Sequence, residues 1–341
     1  MRVAMRTRGG PSQGWGNVYR LAAVAAALAA RGHDIVTILA EGPPEVAEVL
    51  RRRGFPAQIL ADGLTTEAEA AILAETPPAE LCVAEMLDIK PARQRLLRCA
   101  WPRLVIFDDL LDQRYDADLV VCGQDLPGYG NQGLSVPDCR FLTGYRYFMA
   151  PTAIAAHTGT PARAPACPHR LLVTLGGGDY HLAYVKIAQA IRALPHPVAA
   201  TFVLGPAAAP QAMAEIAAIL PTAAILGGID AMDSLYAAHD TAVVSAGYSK
   251  LEAAIMGVPA ISLATQWHQI PLGETFAART GLPFAGYAGF LEPATLTALL
   301  KYLLDSPARL DLIESARRVV DGQGMTRVVE AIEALVREPR P

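Results

Sequence analysis

Short apolar runs alternate with segments of helical apolar spacing along the first 122 residues of the chain. The short runs predict strands at Val3–Arg6, Asp34–Leu39, Ala57–Leu60, Leu81–Ala84, Leu104–Phe107 and Leu119–Cys122. The longer segments predict helices at Val18–Arg31, Pro44–Arg53, Thr65–Ala74 and near Pro91–Cys99. A strand followed by a helix, repeated in this way, is typical of parallel βαβ units.

The alternation stops in the middle of the chain and then begins again. Residues 123–168 are rich in glycine, proline and polar turn formers, and we interpret Thr152–Pro168 as a linker. Further strands are predicted at Arg170–Thr174, Ala199–Leu204, Ala223–Leu226, Thr241–Val244 and Pro259–Leu263, with helices between them and in the remainder. A chain of 341 residues exceeds one ordinary core, so we expect Rossmann-like domains at 1–151 and 169–341.

Composition narrows the class of protein. The chain is 52% apolar and 18% charged, which excludes a disordered chain. Its net charge of −4, without a run of Lys or Arg, argues against nucleic acid or an anionic membrane as partner. The five cysteines form no CxxC pair, so we expect reduced core residues and no metal site. The charged N-terminus is unlike a secretory signal and Leu21–Ala30 is too short to span a bilayer, which predicts a cytoplasmic protein.

Ligands of open α/β sheets bind beyond the carboxyl ends of the strands, so the loops that follow the strands are the candidate ligand-binding segments. The first such loop runs from Gly9 to Asn17 and contains Gly14 and Gly16, which let backbone approach a ligand. Its spacing is not GxGxxG and no suitable acidic residue ends the second strand, which argues against NAD. The alternative is a plain glycine-rich turn.

The second loop carries three consecutive glycines, Gly176, Gly177 and Gly178, followed by Asp179. Such a run between strand and helix favours contact with a phosphate or a sugar. The loop lacks the Lys-Ser/Thr ending of a Walker loop.

The third loop contains Gly247, Tyr248 and Ser249 and leads into a helix that carries Glu252. Ser249 is placed to cap the helix, whose amides could receive a pyrophosphate, and Glu252 to accept hydrogen bonds from sugar hydroxyls. The structural alternative makes Ser249 a simple cap and Glu252 a favourable first-turn charge.

Two further groups of polar residues follow strands. His268 and Gln269 stand beside Trp267 in the fourth loop, and a histidine there suits general-base chemistry as well as a structural role. The pair Asp108 and Asp109 resembles a paired-carboxylate site, with a structural acidic loop as the alternative.

These loops, in this order, resemble the UDP-sugar hydrolase of pseudaminic acid biosynthesis and its relatives in spore-coat polysaccharide formation. The similar stretches are Gly14 to Arg20, Phe107-Asp108-Asp109 through Val121, Leu175 to Asp179, Gly247 to Glu252, and Asp321 to Arg327. The resemblance implies the two-domain GT-B fold of the peptidoglycan N-acetylglucosaminyltransferase, with the nucleotide-sugar in the cleft between domains. It also implies UDP as the nucleotide, a sugar of the 2,4-diacetamido-trideoxyhexose kind, and neither a cofactor nor a bound metal.

Two positions depart from the family pattern. The first loop has Asn17 where the family has the histidine taken as its base, and the fourth has His268 before Gln269 where the family has asparagine. An amide cannot accept a proton from water, so Asn17 could orient the sugar but not act as base. His268 or a carboxylate such as Asp109 would replace it, and Asn17 and His268 would face the same sugar.

Three functions remain open from the sequence. The first is hydrolysis of the anomeric C1–O bond of a UDP-sugar, with release of UDP. The second is transfer of the sugar to a hydroxyl of another sugar, a lipid or a protein. The third is a non-catalytic nucleotide-sugar-binding protein that lost its base with the histidine.

Overall fold

Two units, each built around its own parallel sheet, make up the chain. The computed structural model describes residues 1–10, 14–87, 89–126, 138–161, 165–229 and 231–338. One unit is Met1–Pro151 together with Gln323–Pro341, and the other is Thr152–Gly322. The α/β class expected from the alternating pattern is confirmed.

The first unit contains a seven-stranded sheet of order β3-β2-β1-β4-β5-β6-β7 among its described residues. All neighbouring strands in it are parallel. Its strands are β1 (Arg2–Arg8), β2 (Asp34–Glu41), β3 (Gln58–Leu60), β4 (Leu81–Glu85), β5 (Leu104–Phe107), β6 (Leu119–Cys122) and β7 (Arg140–Thr143). Its helices are α1 (Gly16–Ala30), α2 (Pro44–Arg52), α3 (Thr66–Ala74), α4 (Pro91–Ala100) and α13 (Gly324–Arg337).

Alternate residues of β1, an inner strand of this sheet, contribute to two separate hydrophobic cores. Val3 and Met5 pack in a cluster with residues of α1, α2 and α13, whereas Ala4 packs with residues of α3 and α4. This period of two places one layer of helices on each face of the sheet. The first unit is therefore a three-layer α/β structure whose last helix comes from the end of the chain.

A buried ion cluster joins four elements of the first unit. Arg6 on β1 is fully buried, and it donates from Nε to Glu69 Oε1 at 2.7 Å and from Nη2 to Glu41. Glu41 and Glu69 are themselves at most 1% exposed. Arg93 adds a second cation, with Nε 2.7 Å from Glu69 Oε2. Arg6, which interrupts the first apolar run of the sequence with a charge, is thus buried and paired with carboxylates.

The second unit contains a six-stranded parallel sheet of order β10-β9-β8-β11-β12-β13 among its described residues. Its strands are β8 (His169–Thr174), β9 (Val198–Leu204), β10 (Ala224–Gly227), β11 (Thr241–Ser245), β12 (Ala260–Ala264) and β13 (Phe284–Tyr287). Its helices are α5 (Thr152–Ala155), α6 (His181–Arg192), α7 (Pro210–Ile219), α8 (Asp233–Ala238), α9 (Ser249–Met256), α10 (Gln269–Thr280), α11 (Pro293–Asp305) and α12 (Arg309–Val319).

The predicted elements lie within about two residues of the observed ones, but two strands were not predicted. β7 and β13 are both edge strands, and their residues are partly exposed, so neither forms a continuous apolar run.

The cysteines also differ from expectation. Cys82 and Cys122 are buried, whereas Cys99 and Cys167 are exposed.

The division of the chain differs from the expected boundaries at its C-terminal end. The segment from Gln323 belongs to the first unit, and 152–168 belongs to the second. Glu333 on α13 receives hydrogen bonds from Arg31 Nε at 2.8 Å and pairs with His33 Nε2 at 2.8 Å. Within the described ranges, no helix is long and apolar enough to cross a membrane.

Candidate functional site

The loop after β1 brings glycine backbone close to the start of α1. Gly10 and Gly14 pair through two backbone hydrogen bonds of 3.0 and 2.8 Å. A side chain at Gly9 would overlap Val18, so that glycine is required by packing. The space where a Cβ of Gly14 or Gly16 would stand is open, which leaves their backbone accessible. Residues 11–13 of this loop lie outside the described residues.

Asn17 lies in the first turn of α1 and is half-buried. Its Nδ2 donates to the carbonyl oxygen of Arg8 at 3.4 Å. This bond orients the amide so that its oxygen can accept a hydrogen bond from elsewhere.

Arg20, one turn further along α1, holds two carboxylates at the carboxyl edge of the first sheet. It donates from Nε to Glu85 Oε2 at 2.9 Å and from Nη1 to Asp109 Oδ2 at 2.9 Å. Glu85 is 1% exposed, and burial raises its pKa to about 8 against the opposing effect of Arg20. Asp109 remains partly exposed, so it is the member of this cluster that solvent can reach.

The two aspartates that follow β5 have different surroundings. Asp108 is buried and accepts from Tyr115 Oη at 2.7 Å and from the Leu110 amide at 2.8 Å, so it holds the loop together. Asp109 instead turns to Arg20. Neither Arg20 nor Glu85 was predicted from the sequence to have a role in the site. Glu85 had one signal, since it ends a strand whose other residues are apolar.

In the second unit, the glycine loop after β8 is shaped by a close approach of backbone. A side chain at Gly205 would come within 2.6 Å of the Gly177 Cα, so the loop after β9 packs directly on it. The Leu175 amide donates to Tyr184 Oη at 3.0 Å, and that hydroxyl donates to the Val203 carbonyl at 2.9 Å. The packing of Gly205 and the hydrogen bonds of Tyr184 therefore fix the position of the glycine loop.

Asp179 at the end of this loop is exposed and bonded to backbone. Its Oδ1 accepts from the His181 amide at 3.2 Å and from the Ala209 amide at 3.4 Å. These contacts give Asp179 a structural role at the start of α6. Its contact with a ligand stays a prediction, as do those of Gly177 and Gly178.

The loop after β11 is fixed by a buried lysine that the sequence analysis did not single out. Lys250 is 1% exposed, and its Nζ donates to the carbonyl oxygens of Ala246 and Gly247 at 2.6 and 2.7 Å. Ser249 does not cap α9 as expected, because the N-cap residue is Tyr248 and Ser249 is the first residue of the helix. Its Oγ instead lies 3.5 Å from Ser245 Oγ.

Glu252 lies on α9 one turn beyond that loop. Burial raises the pKa of its carboxyl to about 7, while the hydrogen bond from Tyr236 lowers it. Tyr236 is itself fully buried and lies on α8. Near neutral pH Glu252 can therefore accept or donate a hydrogen bond.

The loops after β11 and β12 meet through Gln269. Its Oε1 accepts from the amide and hydroxyl of Thr265 at 2.9 and 3.1 Å. A Cβ placed on Gly247 would lie 3.4 Å from Gln269 Nε2, at van der Waals distance, so the two loops are adjacent at this point. This arrangement follows from the parallel pairing of β11 with β12.

His268 is half-buried at the N-cap position of α10, next to an exposed aromatic cluster. Trp267 is 60% exposed and stacks on Tyr287 with ring centroids 4.2 Å apart. Phe290, 74% exposed, meets the edge of both rings. We call Trp267, Tyr287 and Phe290 the aromatic cluster. Tyr287 and Phe290 had no signal in the sequence.

The structure thus assembles the predicted residues in two groups. Gly14, Gly16, Asn17 and Asp109 lie at the carboxyl edge of the first sheet, and the others follow strands of the second sheet. That Asn17 and His268 face one sugar stays a prediction. In the described part of the chain, no three His, Cys, Asp or Glu residues are grouped to hold a metal ion.

Comparison with known proteins places this architecture. No family model matches the chain. A spore coat polysaccharide biosynthesis protein, SpsG of Bacillus subtilis, is 30% identical over 169 residues, and the match spans about half the length of each protein.

Solved structures match over almost the whole chain. MurG of Acinetobacter baumannii has a TM-score of 0.69 at 15% identity, covering 98% of this chain and all of that one. The calicheamicin glycosyltransferase CalG4 has a TM-score of 0.63 at 15% identity, covering 100% and 99%. HepE of Anabaena, solved with UDP-glucose, has a TM-score of 0.62 at 13% identity, covering 97% and 99%. Together with the two parallel sheets, these likenesses establish that the chain has the GT-B fold of glycosyltransferases.

Proposed function

We propose that this protein is an enzyme that hydrolyses the anomeric C1–O bond of a UDP-sugar and releases UDP. The observation that carries the proposal is the meeting of two loops at the carboxyl edge of the second sheet. There Gly247 lies beside Gln269, and Glu252 follows one helical turn along α9. In open α/β sheets this edge is where ligands bind.

The relatives support the ligand class. HepE was solved with UDP-glucose, and SpsG is named for polysaccharide biosynthesis. A site for a nucleotide-sugar needs hydrogen-bond donors for the pyrophosphate and hydrogen-bond acceptors for the sugar hydroxyls. The start of α9 carries the positive end of a helix dipole beside the backbone of Gly247, Tyr248 and Ser249. Glu252 would accept hydrogen bonds from sugar or ribose hydroxyls.

The glycine loop after β8 would add backbone contacts to the same ligand. Gly177 and Gly178 are partly exposed, and the packing of Gly205 beneath them fixes the position of the loop. Asp179 holds the end of the loop at the start of α6. A rigid loop orders little on binding, which favours affinity.

For the chemical step, we assign proton transfer to His268. A water oxygen attacks C1, the bond from C1 to the phosphate oxygen breaks, and UDP leaves with the electron pair. The attacking water gives a proton to the imidazole of His268, a side chain that can act as a general base near neutral pH. Asn17 would orient the sugar. Asp109 is the second candidate for the base, although its Oδ2 already accepts a hydrogen bond from Arg20.

Transfer to a hydroxyl acceptor is the second candidate function, and the aromatic cluster favours it. Its exposed rings adjoin His268 and offer apolar surface on which a second sugar ring or an acyl group could pack. CalG4 is a glycosyltransferase of the same fold.

One incubation separates these functions. The purified protein is given a panel of UDP-sugars, including a UDP-2,4-diacetamido-trideoxyhexose, with and without sugar and lipid acceptors. Release of UDP and free sugar in water alone supports hydrolysis, and release only with an acceptor supports transfer. Binding of UDP-sugar without turnover under any condition would leave a binding protein and contradict both.

A further inference from the structure

A cavity lies at the amino edge of the second sheet, opposite the carboxyl edge that carries the candidate site. Its volume is about 140 Å³, and it is lined by the end of α8, the turn between α9 and β12, and the segment near His157. Asp240 precedes β11 and Val258 precedes β12, whereas the loops of the candidate site follow those strands. The cavity is therefore separate from the proposed nucleotide-sugar site.

Arg309 lines this cavity and has too few partners. The residue is only 6% exposed, and its Nη2 donates to the carbonyl oxygen of Asp240. Its Nε and Nη1 are buried and have no hydrogen-bond partner among the described residues. No carboxylate of the described chain hydrogen-bonds to it; burial lowers its pKa, and the charge of Asp240 opposes this effect. Buried guanidinium N–H groups without hydrogen-bond partners are costly, so a partner is expected.

Asp240, the acidic residue nearest to Arg309 along the cavity wall, is already neutralised by another arginine. Its Oδ1 accepts from Arg170 Nη2 at 2.7 Å. Its Oδ2 accepts from the amide of Arg170 at 3.0 Å and the amide of Ala166 at 3.1 Å. The carboxylate of Asp240 therefore already has its hydrogen-bond donors. Among the described residues, Arg309 donates only to the backbone carbonyl oxygen of Asp240.

Of the other polar residues near the cavity, His239 has both ring nitrogens bonded, and Arg317 supplies only donors. His239 has Nδ1 bonded to Leu235 O at 2.7 Å and Nε2 to Thr201 Oγ1 at 2.8 Å, and burial lowers its pKa. Arg317 packs against Gly257 of the cavity wall, and its Nε and Nη2 are also buried without partners in the described chain. Arg309 and Arg317 therefore both carry buried N–H groups without partners in the described chain, and Arg317 also pairs through Nη1 with Glu314 Oε1 at 3.4 Å.

We propose that this cavity binds a small oxyanion of the phosphate class, held by the N–H groups of Arg309. Guanidinium groups bind such oxyanions through charge-assisted hydrogen bonds. A volume of about 140 Å³ accommodates inorganic phosphate with some water but is too small for a nucleotide. The proposal does not depend on the function assigned to the other edge of the sheet.

The test is titration of the full-length protein with inorganic phosphate at constant ionic strength, followed by calorimetry with and without saturating UDP. We expect saturable binding that persists with UDP and is weakened at least tenfold by Arg309→Met. Arg318→Met is the matched control, because Arg318 is exposed on the same helix, and it should bind phosphate like the wild type. Absence of saturable binding, equal affinity in Arg309→Met, or an equal loss in Arg318→Met would overturn the proposal.

A second measurement needs no variant and covers the case in which Arg309→Met fails to fold. Crystals of the wild-type protein are soaked in selenate, whose anomalous scattering locates the anion. Selenate within hydrogen-bonding distance of Arg309 supports the site. Selenate found only elsewhere, or displaced from that position by UDP, contradicts it.

Discussion

The hydroxyl of Tyr236 donates to Glu252 Oε2 across 3.4 Å, from a ring that is fully buried. It also lies 3.3 Å from the carbonyl oxygen of Ser249, in the first turn of the same helix. The tyrosine therefore ties the carboxylate to the start of α9, where the pyrophosphate is proposed to bind. Glu252 is held in one position before any ligand arrives.

Replacement of this carboxylate should weaken nucleotide binding. If Glu252 accepts hydrogen bonds from ligand hydroxyls, Glu252→Ala should reduce the binding free energy of UDP by about 1–3 kcal/mol, the usual cost of losing a charged partner. Isothermal calorimetry measures this. Glu274→Ala, an exposed glutamate on α10, is the control and should bind UDP normally. Unchanged affinity in Glu252→Ala would remove this helix start from the site.

Glu252 should also make stability depend on pH. Its pKa is raised to about 7 in the folded chain, mainly by burial, so the folded state holds the proton more tightly than the unfolded state. The stabilisation is therefore complete below the unfolded pKa and is lost as the pH rises through 7. Urea unfolding between pH 4.5 and 8 should show a decline that is shallower in Glu252→Gln. Identical slopes in the two proteins would contradict the raised pKa.

His268→Asn should lower kcat by about 10²–10⁴-fold, the usual contribution of a positioned base. UDP affinity should stay near normal, because the loops proposed to hold the pyrophosphate are not altered. Steady-state kinetics on the best substrate of the panel give both parameters. Asn17→His, which introduces the histidine expected at this position from the sequence resemblance, should recover part of the activity. Wild-type kcat in His268→Asn would move the search for the base to Asp109 or Asp179.

The aromatic cluster should matter for binding and little for folding. Trp267→Ala removes an exposed ring that stacks on Tyr287, so we expect a higher KM for the sugar donor or the acceptor and a folded protein. Stacking of a ring on an aromatic side chain contributes about 1–3 kcal/mol in the comparable case of bases. Tyr302→Ala, another exposed aromatic residue on α11, serves as control. Equal KM values for both variants and the wild type would exclude a role for the cluster.

Arg6 should be essential for the stability of the first unit. Arg6→Met leaves Glu41 and Glu69 buried with less counter-charge, and breaking such a pair costs about 3–5 kcal/mol. Equilibrium denaturation should show this loss. Arg51→Met breaks an exposed pair with Glu48 and should have a much smaller effect. Similar stabilities of the two variants would mean that Arg8 and Arg93 neutralise the cluster without Arg6.

The central strands and their helices could be predicted because their residues are apolar on both faces, as in β4 and β11. The edge strands β7 and β13 could not, since half-exposed residues leave no continuous apolar run. In the candidate site, glycines after strands were visible in the sequence. Lys250, Tyr236 and Arg20 were not, because each acts through partners that only the folded chain brings near.

The return of α13 to the first unit has a consequence for synthesis. Its residues Val328, Val329, Ile332 and Leu335 complete a core that begins with β1. A ribosome makes β1 long before α13, because all of Thr152–Gly322 lies between them. The first unit therefore cannot finish folding until the whole second unit has been synthesised. A truncated product ending at Pro151 would expose the apolar surface that α13 covers, and we expect it to aggregate.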